Sequence, residues 1–185
     1  MVWKFRRVLR PKGVFVMKMS EEDIKSFPKF SLYVRKSFPQ VIQVMSIMHN
    51  LKAHGSLTTE EIRHAVQWGN DPLIVIKPLS NFRCNATAAS PMGCFQSTAP
   101  NQIEVEIEYV KTFEKDPNGA GVGSNARGQA VYVVGVILLH ELCHWGNFKH
   151  GVSENKEQGE AFEIATYGKR PVPNLVHISE VTITE

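Results

Sequence analysis

Apolar and polar residues repeat along the chain with two different periods, and each period predicts a type of element. Apolar residues recur at helical spacing through residues 39–54, and Gly55 follows as a stop signal. A second helix is predicted to begin after Thr58, because Thr58 and Glu61 have the spacing of a capping box. The turn-forming residues 69–72 then end it.

From residue 73 onward the period is that of a β-strand. Residues 72–79, "PLIVIKPL", form a short β-branched run bounded by prolines. Residues 103–110, "IEVEIEYV", alternate apolar and polar side chains, which predicts a half-exposed antiparallel or edge strand with a solvated face of Glu104, Glu106 and Glu108. Residues 111–128 are rich in glycine and asparagine, and a flexible connector is predicted there.

Residues 129–145, "QAVYVVGVILLHELCHW", are the most apolar part of the chain. Their β-branched composition suits a strand, but seventeen residues are too many for one, so a buried central helix is predicted. A chain of 185 residues with 43% hydrophobic composition suffices for one core. The predicted fold class is therefore α+β, a single domain with a central helix and a small, mostly antiparallel sheet.

The formal charge of +3 conceals an asymmetry along the chain. Residues 1–20 contain no acidic residue, and their six cationic residues are Lys4, Arg6, Arg7, Arg10, Lys12 and Lys18. We interpret them as a basic arm preceding a domain at 21–185; Pro11 and Lys12 interrupt any apolar core of a signal peptide. No nucleic-acid partner is expected, because no basic helix face follows. No apolar run reaches the roughly 18 residues of a membrane span.

The three cysteines do not indicate a disulfide scaffold. Cys84 and Cys94 bracket a short turn, and from the sequence alone both a disulfide and two thiols remain open. Cys143 is expected to be a core thiol.

The segment "HELCHWGNFKH", residues 140–150, concentrates the candidate chemistry. On a helix, His140 and His144 are one turn apart and project from nearly the same face, as two ligands of one zinc ion require. Glu141 is offset from both, so its carboxylate can reach a water molecule at the metal without binding the metal itself. The pattern predicts a Zn²⁺ site with Glu141 as the general base.

At these residues the chain resembles the zincin metallopeptidases, in particular the metzincin pattern His-Glu-x-x-His-x-x-Gly-x-x-His. Here Asn147 stands at the glycine position, where the resemblance implies a left-handed turn that brings His150 to the zinc as third ligand. The gluzincin alternative takes a glutamate from the next helix, and Glu163 is the best acidic candidate. His150 is favoured; Glu163 then becomes an outer carboxylate that orients a histidine.

Together with "EQGEAFEIATYG", residues 157–168, the motif resembles metallopeptidase-type toxin and effector domains of bacterial polymorphic-toxin and type VI secretion systems. The resemblance implies a zinc peptidase acting on a protein or peptide, secreted without a cleaved signal, or otherwise cytoplasmic. Secretion machinery and an immunity protein are the implied partners. The alternative is an effector that binds a partner protein through an inactive zincin-like scaffold with structural zinc.

Overall fold

The computed structural model describes residues 18–79, 84, 91–153 and 157–171. The basic arm therefore lies almost entirely outside the described residues, and the boundary predicted at residue 20 stays a prediction. Within them the chain forms α-helices around two small sheets, so the predicted α+β class is confirmed. No helix in this described part is long and apolar enough to cross a membrane.

The first helices were not predicted from the sequence. They are α1 (Glu21–Ser26) and α2 (Pro28–Lys36), and each is too short for its apolar period to stand out. Ser20 caps α1 by accepting a hydrogen bond from the Asp23 N–H at 3.0 Å. Helix α2 buries one stripe, Phe30 and Val34, against the core.

The helix predicted at 39–54 is divided in two. A 3-10 helix covers Phe38–Gln43 and α3 covers Met45–Gly55, because the intervening Val44 has an extended backbone. Helix α4 (Thr59–Val66) follows, and its predicted capping box between Thr58 and Glu61 is confirmed.

The larger sheet has three strands: β1 (Leu73–Lys77), β2 (Gly93–Phe95) and β3 (Gln102–Glu106). Their order is β1-β3-β2; β3 pairs with β1 in parallel and with β2 in antiparallel orientation. The disulfide between Cys84 and Cys94, which the sequence left open, is present and ties residue 84 to the middle of β2.

The strand predicted over residues 103–110, as antiparallel or at an edge, is confirmed only in part: β3 pairs with β2 in antiparallel orientation, but it ends at Glu106 and does not lie at an edge. Strand β3 is central, and the chain turns into helix α5 (Ile107–Lys115) after Glu106, whose side chain accepts a hydrogen bond from the Glu108 N–H. Glu104 is buried rather than solvated because it forms an ion pair with Lys77 on β1 at 2.6 Å. Glu106 is buried as well and accepts a hydrogen bond from the Leu79 N–H.

The connector predicted at residues 111–128 also contains regular structure. Helix α5 occupies its start, and β4 (Val122–Ser124) pairs with β5 (Ala130–Tyr132) in an antiparallel hairpin.

The central helix predicted over residues 129–145 is α6 (Val133–Lys149); it begins after β5 and extends four residues further than predicted. Its first ten residues lie in the core, apart from the half-buried His140. It packs against α3, β2 and the last helix, α7 (Gln158–Tyr167). Strand β2 lies against Glu141 and helix α7 lies against His140, two residues of the His-Glu-x-x-His motif. The core therefore fixes the position and rotation of that motif.

Candidate metal centre

Helix α6 carries two histidines on one face, as the sequence predicted. The ring centroids of His140 and His144 are 5.1 Å apart, and their side chains retain only 15% and 11% of their exposure. The apolar half of α6 anchors the helix in the core, so these rings lie where the helix approaches the surface. Two imidazoles held at this spacing provide two nitrogen ligands for one cation.

A third side chain, which the sequence analysis missed, completes the group. Oε1 of Glu157 lies 3.3 Å from Nε2 of His140 and 2.9 Å from Nε2 of His144. The same oxygen accepts a hydrogen bond from the Gly159 N–H at 3.1 Å, because Glu157 is the N-cap of α7. The three ligand atoms lie within 4.8 Å of one another, and among the described residues this is the group suited to a metal ion.

Glu163 contacts the opposite side of the His140 ring. Its Oε1 is 2.5 Å from Nδ1 of His140, and its Oε2 is 3.7 Å from Nε of Arg170. The carboxylate thus fixes the ring so that Nε2 points toward His144 and Glu157. This contact with Nδ1 is the place expected of an outer carboxylate, the role predicted for Glu163 with His150 as ligand, and that orienting role stays a prediction.

Glu141 is buried beside the two histidines, with 4% exposure. Its Oε1 is 4.0 Å from Nε2 of His140, and its carboxylate accepts a hydrogen bond from the backbone N–H of Phe95 on β2. Burial raises the pKa of the Glu141 carboxyl, while the nearby charges of His140 and His144 oppose that rise.

The pKa values of His140 and Glu157 reflect the contacts between them. Burial lowers the pKa of His140, but hydrogen bonds with Glu157 and Glu163 outweigh burial and raise it to about 9. The hydrogen bonds from His140 and His144 hold the pKa of Glu157 well below its usual range. Positive charge at the His140 ring is therefore favoured, and a divalent cation at its Nε2 would provide that charge in place of a proton.

His150 does not join this group. Its Nε2 is 3.0 Å from Oε2 of Glu61 on α4, and that carboxylate also pairs with Lys149 at 2.8 Å. The left-handed turn expected at Asn147 is absent, because α6 continues through Asn147 to Lys149. Asn147 is buried, donates a hydrogen bond to the His54 carbonyl at 2.8 Å and accepts one from Ser56 Oγ at 2.7 Å.

The donor set fits zinc in an open site. Two imidazole nitrogens and one carboxylate oxygen are a set that catalytic zinc sites use, whereas structural sites mostly use cysteine. Cys143 is buried in the core on α6 and is not part of the group. The sequence signal for Glu157 was an acidic residue just before α7, since negative side chains are favoured near helix N-termini.

A sequence model of the family described as metallopeptidase toxin 3 matches residues 23–168. No curated protein and no solved structure matches the chain. The matched segment covers most of the chain and includes His140, Glu141, His144, Glu157 and Glu163. The chain therefore belongs to the metallopeptidase toxin 3 family.

Proposed function

We propose that the protein is a zinc-dependent peptidase that acts as a bacterial toxin by hydrolysing peptide bonds in a protein target. The observation that carries this proposal is the convergence of two imidazole nitrogens on one carboxylate oxygen, with the buried Glu141 next to them. Membership of a metallopeptidase toxin family supports both the reaction class and the biological role.

The ligands that we propose for zinc are Nε2 of His140, Nε2 of His144 and Oε1 of Glu157. The distances that link these atoms support Glu157 over His150, whose ring is paired with Glu61. They also support an orienting role for Glu163, since its carboxylate contacts Nδ1 of His140 and not Nε2.

In the proposed hydrolysis, the zinc ion and Glu141 have separate tasks. Zinc, when bound, supplies Lewis acidity and lowers the pKa of a water molecule to about 7. Glu141 accepts the proton of the attacking water and passes it to the leaving amine. Its carboxylate is kept in position by the Phe95 N–H, so the base needs no rearrangement before it acts.

The rival function is a binding protein that retains zinc only as a structural element. Structural zinc sites usually fill all four positions with protein ligands. The group found among the described residues offers three donors and has a carboxylate beside it, which favours catalysis.

The toxin class implies delivery to a target cell, and we propose export by bacterial secretion machinery. A dedicated immunity protein in the producing cell is the expected partner, because a peptidase toxin endangers its own host.

The decisive experiment replaces Glu141 by Gln. The variant keeps the shape of the side chain and removes the general base, so we expect bound zinc to remain and hydrolysis to fall by about 10²–10⁴-fold. Glu108→Gln, an exposed carboxylate on α5, is the matched control and should behave like the wild type. Zinc content, cleavage of a denatured-protein mixture and growth of cells producing each chain are measured. A zinc-loaded Glu141→Gln protein with wild-type toxicity would establish the binding function instead.

A further inference from the structure

We propose that two glycines, Gly159 and Gly93, are positioning residues that hold the metal ligand His140 and the general base Glu141 in their working places. The inference rests on the proposed function and adds residues outside the His-Glu-x-x-His motif. Each glycine lies on an element that packs against α6: Gly159 on α7 and Gly93 on β2.

Gly159 lies directly against the imidazole of His140. A Cβ atom on Gly159 would lie 2.3 Å from Cδ2 and 2.4 Å from Nε2 of that ring, far inside van der Waals contact. The ring has little freedom to retreat, because Glu163, one turn further along the same helix, holds its Nδ1. An added methyl group must therefore displace Nε2, the proposed ligand atom.

Gly159 also positions the third proposed ligand. Its backbone N–H donates to Oε1 of Glu157, the oxygen that approaches both histidine nitrogens. One residue thus sets the carboxylate through its N–H group and admits the imidazole through its missing side chain. Since Gly159 is buried in a regular helix, neither role reflects a need for an unusual backbone conformation.

Gly93 has the corresponding relation to Glu141. A Cβ atom there would lie 2.7 Å from Oε1 and 2.9 Å from Cγ of Glu141, and 2.8 Å from Cγ2 of Ile137. The Glu141 side chain is buried and bonded to the Phe95 N–H on the same strand. A methyl group on Gly93 must therefore push the carboxylate away from its place beside His140.

Alanine substitutions separate the two roles by different measurements. Gly159→Ala should weaken zinc binding by about 10–100-fold, the effect typical of disturbing the support of a metal ligand. Gly93→Ala should bind zinc like the wild type but lose at least about 100-fold in kcat, because the added methyl group displaces the general base and contacts none of the proposed ligands. Gln158→Ala, in the same helical turn as Gly159, is the control. Zinc affinity is measured by competition with a chelator and kcat on a cleaved protein.

A double-mutant cycle in the metal-free protein keeps the Gly159 contact testable if Gly159→Ala is poorly folded. Alanine is the better helix former, so Gly159→Ala should raise Tm in a His140→Ala background and lower Tm when the imidazole is present. The same cycle with Glu141→Ala applies to Gly93, where Gly93→Ala should lower Tm less once the carboxylate is gone.

The outcomes distinguish this inference from the proposed function. Unchanged zinc affinity in Gly159→Ala, or equal Tm changes in both backgrounds, would overturn the role of Gly159. A wild-type kcat in Gly93→Ala would overturn the role of Gly93. A wild-type protein that binds no zinc would remove the proposed function, while the Tm cycles would still report whether each glycine supports its partner side chain.

Discussion

At the scale of single residues, the chemistry depends on how His140 is held. Carboxylates contact both of its nitrogens, Glu163 at Nδ1 and Glu157 at Nε2. A carboxylate at Nδ1 favours the tautomer with a proton on that nitrogen, which leaves the lone pair of Nε2 for a metal. His140 is therefore oriented by one glutamate and shares the proposed ion with another.

The identity of the third ligand can be decided by two substitutions. We expect Glu157→Ala to reduce zinc affinity by more than about 100-fold, because an anionic ligand is lost. His150→Ala should retain zinc within about twofold, since its ring pairs with Glu61 on α4. Zinc content after dialysis against a weak chelator measures both. Loss of zinc from the His150 variant alone would restore the metzincin-like ligand set.

Glu163→Gln tests the orienting carboxylate separately. The amide keeps the volume of the side chain but weakens the charge-assisted hydrogen bond to Nδ1 of His140, so zinc affinity should fall by about 10–100-fold. Chelator competition provides the measurement, with Glu160→Gln, a more exposed carboxylate on α7, as control. Equal affinities in the two variants would contradict the orienting role.

The sequence predicted those site residues that share one helix. In any helix over these residues, His140 and His144 lie one turn apart on one face, and Glu141 lies beside them. This local geometry does not depend on the rest of the fold. Glu157 could not be predicted in the same way, because its distance to the histidines depends on the path between α6 and α7. His150 was favoured from motif spacing, and that spacing needs a turn at Asn147 that the helix does not make.

At the scale of elements, the contacts of Asn147 explain why α6 continues past this residue to Lys149. Its buried amide bonds the His54 carbonyl at the end of α3 and the Ser56 hydroxyl that follows. A left-handed turn at this position would break both hydrogen bonds within the core. The asparagine that looked like a substitute for a turning glycine is therefore a link between two helices.

Asn147→Ala tests this link. The substitution removes the partner of two half-buried groups, the His54 carbonyl and the Ser56 hydroxyl, and a buried loss of this kind costs about 1–3 kcal/mol, so the free energy of unfolding should fall by at least about 1 kcal/mol. Zinc affinity should change little, because Asn147 is not one of the proposed ligands and its amide bonds the His54 carbonyl on α3. Urea unfolding of the wild type and the variant gives the value. A change below about 0.5 kcal/mol would show that the two hydrogen bonds contribute little to stability.

The errors in predicting elements have one physical source. Residues 103–110 alternate as a strand should, yet Glu104 is buried in the central strand, where the partly exposed Lys77 pairs with it, and Glu106 caps a new helix. Tertiary partners decide both features, and a local pattern contains no information about them. Thr58 and Glu61, by contrast, bond each other, so their capping box was predictable from the sequence.

At the scale of the whole molecule, the candidate site unites three separate parts of the chain. Helix α6 supplies the two histidines and Glu141, the start of α7 supplies Glu157, and β2 supplies the backbone that holds Glu141. Such a site forms only when the core around α6 is assembled. The stability of the fold and the integrity of the site should therefore change together under denaturing conditions.

A buried lysine far along the chain from the motif makes that stability depend on pH. Lys18 is 1% exposed, its carbonyl accepts a hydrogen bond from the Ile74 N–H on β1, and its Nζ lies 6.0 Å from the Phe38 ring centroid. In the described part of the chain Nζ has no hydrogen-bond partner. Burial lowers the pKa of Lys18 from 10.5 to about 7, although the charge of Asp71 opposes this shift.

We predict that Lys18→Met removes a pH dependence of stability. Between the folded pKa of about 7 and the unfolded value of 10.5, the unfolded chain binds a proton at Lys18 that the folded chain does not. The free energy of unfolding therefore rises with pH across this window, by at most about 1.4 kcal/mol per pH unit, and Lys18 gives no slope below it. Methionine has no charge to desolvate, so the variant should be more stable than the wild type at pH 7, and this advantage should shrink toward pH 10.

Urea unfolding of both chains at pH 6, 8 and 9.5 measures the difference in the free energy of unfolding, in which the other titrating groups cancel. Parallel pH curves for the two proteins would mean that Lys18 keeps an ordinary pKa in the folded state.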